Sequence, residues 1–315
     1  MNKKLAALDI GTNSFHLIVV SVSNTGNFEI IDREREVLRL SERSFGENKS
    51  ISPISTEKAI SVIIKYKKIA ESNGAPLRVT ATSAVRESSN KNEFLETVYE
   101  KTGVHIEVIS GEEEARLIHL GVQKAVPIFN LESLSIDIGG GSTEFIVGKK
   151  GEIQYSNSLK LGAVRLSQMF FPNYILTDEK IGKARKLVEE VVAPVVSKIK
   201  NRNIETVVGS SGTILNIGMM IKALRDGEKG EYPNLNNFEF SADDLQEIES
   251  MVLSKKTQEE RKSIAGLEER RIDIIPAGVI ILSTIFKVLD IKKLIISEYA
   301  LKEGIILDSI NKLPV

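Results

Sequence analysis

The sequence predicts an α/β protein of two related lobes, and three observations carry that expectation. The segments LDIGTNSFHLIVV (8–20) and IDIGGGSTEFIVG (136–148) superpose at an offset of about 128 residues, with Asp9 on Asp137, Gly11 on Gly139 and Ser14 on Ser142. The order of strands and helices around the first segment recurs around the second. With 42% hydrophobic and 27% charged residues over 315 positions, the chain can bury two ordinary cores.

The first half begins with apolar, β-branched runs at 5–10, 16–23 and 28–40. Asn24, Gly26 and Asn27 supply turn chemistry between the second and third, which favours an antiparallel meander. Ile60, Ile63, Ile64 and Ile69 recur at helical spacing over 56–72, and Asn73-Gly74 closes that helix. A strand is expected at 77–82 and a helix at 90–101, with Glu93 three residues after Asn90 and Gly103 past its end. A short strand at 106–109 and a helix at 112–124 complete the order β-β-β-α-β-α-β-α.

The second half repeats that order. Strands are expected at 134–138, 144–148 and 153–161, then a helix at 177–200 that Pro194 should kink. A strand at 205–208 and a helix at 212–224 precede an insertion rich in Gly and Asn (226–240). Helices at 242–253 and 276–289, a strand at 293–297 and a helix at 301–313 follow.

Composition narrows the chemistry. A net charge of -1 leaves no global field for nucleic acid or an anionic membrane, so a polyanionic ligand would need locally concentrated donors. No Cys and three His exclude thiolate metal sites and argue against a His-rich one. Carboxylates, backbone amides and a hard, oxygen-bound cation remain. The N-terminal apolar run is interrupted at Asp9, unlike a signal peptide or anchor. The run 274–285 is too short to span a bilayer and holds Pro276 and Gly278. A soluble, cytoplasmic protein is expected.

Each glycine loop follows a buried strand and enters a second one. Gly11 and the run Gly139, Gly140, Gly141 let the backbone approach an anion closely, and successive N–H groups there form a nest for phosphate oxygens. Thr12, Asn13, Ser14, Ser142 and Thr143 add polar donors. One such loop could equally be an ordinary hairpin turn; two matching Asp-x-Gly loops favour phosphate. Neither is a Walker loop or a dinucleotide fingerprint, since no Gly-Lys-Ser/Thr follows and each runs into a strand. Asp9 and Asp137 end their strands beside these loops. A carboxylate next to phosphates calls for an intervening cation, and magnesium held partly through water suits it. The expected ligand is therefore phosphorylated and lies between the lobes.

Gly209, Ser210, Ser211, Gly212 and Thr213 sit between a strand and a helix. That placement suits a phosphate or nucleotide at the helix N-terminus, or simply an N-cap by Ser211 or Thr213. In Ser110–Arg116, Ser110 and Glu113 have capping-box spacing, and Glu112 suits the helix dipole. Glu114 has no such explanation. Preceding Leu117 and Ile118 by three and four residues, it is either an inward carboxylate able to accept a proton from water or a surface charge. Arg86 either clamps a phosphate oxygen or pairs with Glu87 at the surface.

Taken together, 9–14, 82–86, 110–115, 137–144 and 209–213 resemble the exopolyphosphatase/guanosine pentaphosphate phosphohydrolase family, in its order and spacing, over residues 4 to about 310. That family belongs to the sugar kinase/actin/heat-shock chaperone superfamily. The resemblance implies two duplicated actin-like (ribonuclease H-like) lobes, each a mixed five-stranded sheet with helices on both faces and the active site in the interlobe cleft. The lobes would comprise 1–125 with about 298–315, and 126–297. It further implies Glu114 as the catalytic base for water, Asp137 as the ligand of Mg2+ (or another divalent cation such as Mn2+) and Glu144 assisting through water. Arg86 and Arg271 would be phosphate clamps. Linear polyphosphate or guanosine pentaphosphate would be the substrate, and dimerisation is expected at the family level only.

Two departures stand out. Lys302 and Tyr299 occupy positions where relatives often carry Arg and Gly, which bears on the interlobe hinge. Larger relatives carry C-terminal helical domains with a His-Asp motif, absent from the sequence to Val315, so a weaker grip on long chains is expected. A sugar or acetate kinase would need a second base for an acceptor hydroxyl, and no residue presents itself. A nucleotide-binding scaffold of the filament kind would assemble with nucleotide.

Overall fold

The computed structural model describes residues 3–40, 50–227 and 234–312. These separate into two compact units: the residues up to Gly121 together with those from Leu301 onward, and Val122–Ala300.

In the first unit, β1 (Lys3–Ile10), β2 (Ser14–Val22) and β3 (Phe28–Val37) form the antiparallel meander. Helix α1 (Pro53–Ser72) begins earlier than periodicity suggested, because Ser52 caps the Ser55 amide and Pro53 occupies the first turn, where a missing N–H costs nothing. Then come β4 (Leu77–Ala81), a short α2 (Ser83–Arg86), α3 (Lys91–Thr102), β5 (Glu107–Val108) and α4 (Gly111–Ala125). The sheet order is β3-β2-β1-β4-β5, with β4 parallel to β1 and β5 parallel to β4. The Asn90 side chain does not cap α3. It pairs instead with both backbone groups of Ile51, at 2.8 and 3.0 Å. Gly103 does end α3, in the left-handed region at φ 66°. Leu8, Ile10, Leu17, Ile63, Tyr66, Phe94 and Val98 form the core.

In the second unit, β6 (Ser133–Ile138), β7 (Thr143–Lys149) and β8 (Glu152–Leu159) repeat the meander. Then α5 (Ala163–Phe170), missed by periodicity because it spans two turns, leads to α6 (Asp178–Ile199). Pro194 lies inside α6, on its exposed side, and the helix runs on past it to Ile199. After β9 (Thr206–Ser210) and α7 (Ser211–Asp226), part of the expected insertion (228–233) lies outside the described residues, as does 313 at the end of the last expected helix. The remaining elements are β10 (Glu239–Ser241), α8 (Ala242–Ser254), α9 (Gln258–Arg261), α10 (Ile275–Leu289) and β11 (Lys293–Ile296). From Leu301, α11 (Leu301–Asn311) belongs to the first unit and packs on β1 and β2.

This second sheet has six strands, not five, in the order β10-β11-β9-β6-β7-β8. The added strand is only three residues long, yet Phe240 inserts into the core and stacks on Phe286 with centroids 5.9 Å apart. Hydrophobic all round, α10 is a core helix packed among α5, α6, α7 and α8. Among the described residues, no helix is long and apolar enough to cross a membrane.

The duplication extends to register. Asp9 lies opposite His16 on β2 and beside Thr80 on β4; Asp137 lies opposite Glu144 on β7 and beside Ser210 on β9.

Candidate functional site

In the first unit, the Gly11 amide donates to the Ser14 carbonyl at 3.2 Å, closing a tight turn in which a Cβ on Gly11 would come within 3.0 Å of that oxygen. The Asn13 carbonyl accepts from Leu38 and Arg39, which anchors the loop to the chain beyond β3. The Asn13 side chain is buried, and neither its amide nitrogen nor its oxygen has a hydrogen-bond partner among the described residues. A buried amide left so is costly unless a ligand completes it. Thr12 shares a hydrogen bond with Ser83 at 2.9 Å, and Ser14 one with His16 Nε2 at 2.8 Å.

Glu114 is 6% exposed on the inner face of α4, so it is no surface charge. Its Oε2 accepts from Arg86 at 2.9 Å, and the same guanidinium nitrogen donates to the Ile109 carbonyl. Arg86 is thereby turned onto Glu114, and the expected surface pairing with Glu87 is replaced by this inward one. Ser110 caps the Glu113 amide at 3.1 Å, but the Glu113 carboxylate does not complete the box. It forks onto Arg116 at 2.8 Å, which holds its carboxyl below its ordinary value.

In the second unit, the Gly139 amide donates to the Ser142 carbonyl at 3.0 Å, the same closure as in the first loop. The amides of Gly140, Gly141 and Ser142 have no partner among the described residues. Thr143 is turned away, its hydroxyl donating to the Leu161 carbonyl at 2.6 Å. Asp137, 6% exposed, accepts from the Ser210 hydroxyl at 2.6 Å, and Glu144, 1% exposed, accepts from Ser158 at 2.7 Å.

Ser210 is therefore the N-cap residue of α7 by position, with its hydroxyl committed to Asp137 and no side chain capping the helix. Ser211, at φ 73°, binds the Ile138 carbonyl, and neither it nor Thr213 supplies the expected cap. Against this uncapped end lies Arg271. A Cβ on Gly212 would collide with its guanidinium. Burial pushes Arg271 down from its ordinary value, and its Nε donates to the Glu268 carboxylate at 3.2 Å. A cation buried at the positive end of a helix is unfavourable by itself and favourable with an anion between them.

Sequence reasoning missed Ser158, Ser210's orienting bond and the α5 segment 162–165. Ser158 lies on an edge strand that carries no motif, and only the strand pairing brings it to Glu144.

The match to the model of the Ppx/GppA phosphatase family covers residues 18–313. The chain belongs to that family. Among relatives of the Ppx/GppA chain, a guanosine-5'-triphosphate,3'-diphosphate pyrophosphatase of Aliivibrio fischeri is 30% identical over 99% of this chain and 60% of its own length. The chain thus spans about 60% of the first curated relatives it matches. A Haemophilus influenzae protein provisionally named an exopolyphosphatase is 29% identical over 96% of this chain and 90% of its own. The crystal structure of an exopolyphosphatase from Cytophaga hutchinsonii shares 27% identity over 99% of both chains, with a TM-score of 0.89. The five- and six-stranded sheets of this Ppx/GppA member are thus similar in fold to that structure over nearly the whole chain.

Proposed function

We propose that this Ppx/GppA protein is an exopolyphosphatase, which releases terminal phosphate from linear polyphosphate by attack of water. The observation that carries the reading is the second loop: three consecutive unpaired amides beside two buried carboxylates paired across neighbouring strands. Amides of that kind stabilise the charge that develops on phosphoryl oxygens.

Asp137 and Glu144 offer oxygen donors and no third acidic or imidazole group. Among the described residues no cluster of three such groups exists. That set fits magnesium or manganese, which keep several waters and share coordination with substrate phosphates; it does not fit a closed metal cage. When bound, the cation would neutralise phosphate charge and polarise the phosphorus–oxygen bond. Glu114 orients the attacking water and accepts its proton, and Arg86 holds the carboxylate in place. Asn13 and the amides of Thr12 and Asn13 hold phosphate oxygens at the first loop, and Arg271 with the α7 N-terminus holds another.

The second reading, guanosine pentaphosphate 5'-phosphohydrolase, is favoured by the name of the Aliivibrio fischeri relative. Phosphate release from polyphosphate and from guanosine pentaphosphate, measured in parallel with magnesium present, separates the two. Release from neither would sink the hydrolase reading, and undiminished release by Glu114→Gln would remove Glu114 from the chemistry.

A further inference from the structure

The carbonyls of the triglycine loop are all held by the start of α5. The Ala163 amide donates to Gly139 O at 3.0 Å, and the amides of Val164 and Arg165 donate to Gly140 O at 2.9 and 3.0 Å. The Arg165 Nε then donates to Gly141 O at 2.8 Å, from a side chain that is 8% exposed. Thr143 fixes the Leu161 carbonyl just before this turn, so loop and helix start are tied from both sides.

A planar trans peptide points its N–H opposite to its C=O. Pinning the carbonyls of Gly139, Gly140 and Gly141 towards α5 therefore turns the amides of Gly140, Gly141 and Ser142 away from it. Those are the three amides without partners. Gly162 makes the close approach possible, since a Cβ there would collide with the Gly140 carbonyl.

We propose that the segment 162–165 is the template that aims the loop amides at phosphate oxygens, and that Arg165 is the positioning residue for the Ser142 amide. This rests on the phosphate-binding reading of the loop. Arg165 touches no substrate; it acts through the Gly141–Ser142 peptide. Neither Gly162 nor Arg165 belongs to the glycine loops themselves. The first unit does the corresponding job differently, anchoring its loop through the Asn13 carbonyl.

The test uses the full chain with Arg165→Met, Arg165→Lys and Gly162→Ala, and the hydrolysis-resistant imidodiphosphate as the binding probe, titrated calorimetrically with magnesium present. Losing one well-aimed donor to a charged oxygen should weaken imidodiphosphate binding about tenfold in Arg165→Met. For polyphosphate, kcat/KM should fall by at least a similar factor and kcat should fall with it, because the same amide meets charge that develops in the transition state. Arg165→Lys, which can still donate to the Gly141 carbonyl, should recover most of the loss. Gly162→Ala should weaken binding from the other side of the same contact. If one variant loses its cooperative melt, the other decides. A folded Arg165→Met or Gly162→Ala that binds as tightly as wild type overturns the template. A wild-type protein that neither binds the probe nor releases phosphate overturns the underlying reading as well, so the two failures are distinguishable.

Discussion

Arg86 donates to Glu114 across 2.9 Å, and this pair joins the segment after β4 to the first turn of α4. The carboxylate is almost fully buried while the guanidinium keeps partial contact with solvent. Removing one partner leaves the other charge uncompensated, the costly way to break a buried pair. Glu114→Gln keeps an acceptor for Arg86, so it should fold normally and lose about 10²–10⁴ in phosphate release if Glu114 is the base. Arg86→Met takes a hydrogen-bonded cation away from a buried carboxylate and should lower stability by about 3 kcal/mol in urea titration. Equal stability losses in the two variants would contradict this division of roles.

Ser210 holds Asp137 at the expense of capping α7. Partners that orient a metal ligand typically matter by about 10–100-fold in metal affinity or activity. If Asp137 holds the cation as proposed, Ser210→Ala should raise the magnesium concentration for half-maximal activity about tenfold or more. Because its hydroxyl caps nothing, the variant should escape the usual cap loss of about 1 kcal/mol. A large drop in melting temperature with an unchanged magnesium response would argue the reverse.

Two glycines sit under similar crowding but should respond differently to Ala. At Gly304 the obstacle is the Leu117 backbone, which cannot move without displacing α11 from α4. Gly304→Ala should cost about 1–3 kcal/mol or more in unfolding measurements. At Gly212 the obstacle is the tip of Arg271, a side chain that can swing aside. Gly212→Ala should melt near the wild-type temperature yet bind polyphosphate more weakly, because Arg271 is displaced from the α7 N-terminus.

His119 on α4 is 2% exposed, neither ring nitrogen has a hydrogen-bond partner among the described residues, and burial pushes it down to about 4. In the unfolded chain it titrates near 6.5. Between those values the unfolded state takes up a proton that the folded state refuses, so stability falls as pH falls from 6.5 towards 4 and is unaffected above. The loss from this residue amounts to about 3 kcal/mol by pH 4. His119→Leu should flatten that part of the stability–pH curve, read by urea unfolding at stepped pH; an unchanged slope would assign it elsewhere. Asp308 acts lower on the scale. Burial opposes its ionisation, but Lys312, Arg116 and Arg78 outweigh it and hold its carboxyl well below the usual range. Its stabilisation is present above the ordinary carboxylate pKa and is lost on acidification below it.

The sequence by itself determined the repeated element order and the two Asp-x-Gly turns, because each is written in local spacing: period two, period three to four, and glycine where a Cβ would collide. It could not announce β10, which forms only because Phe240 finds a core to enter, nor α5, too short to show a period. Tertiary structure alone decided the partners. Arg86 met Glu114 instead of Glu87, Ser210 met Asp137 instead of capping α7, and Arg165 reached back to Gly141. Each choice joins residues more than twenty positions apart, and each satisfies a buried charge or carbonyl that local spacing could not show to be buried.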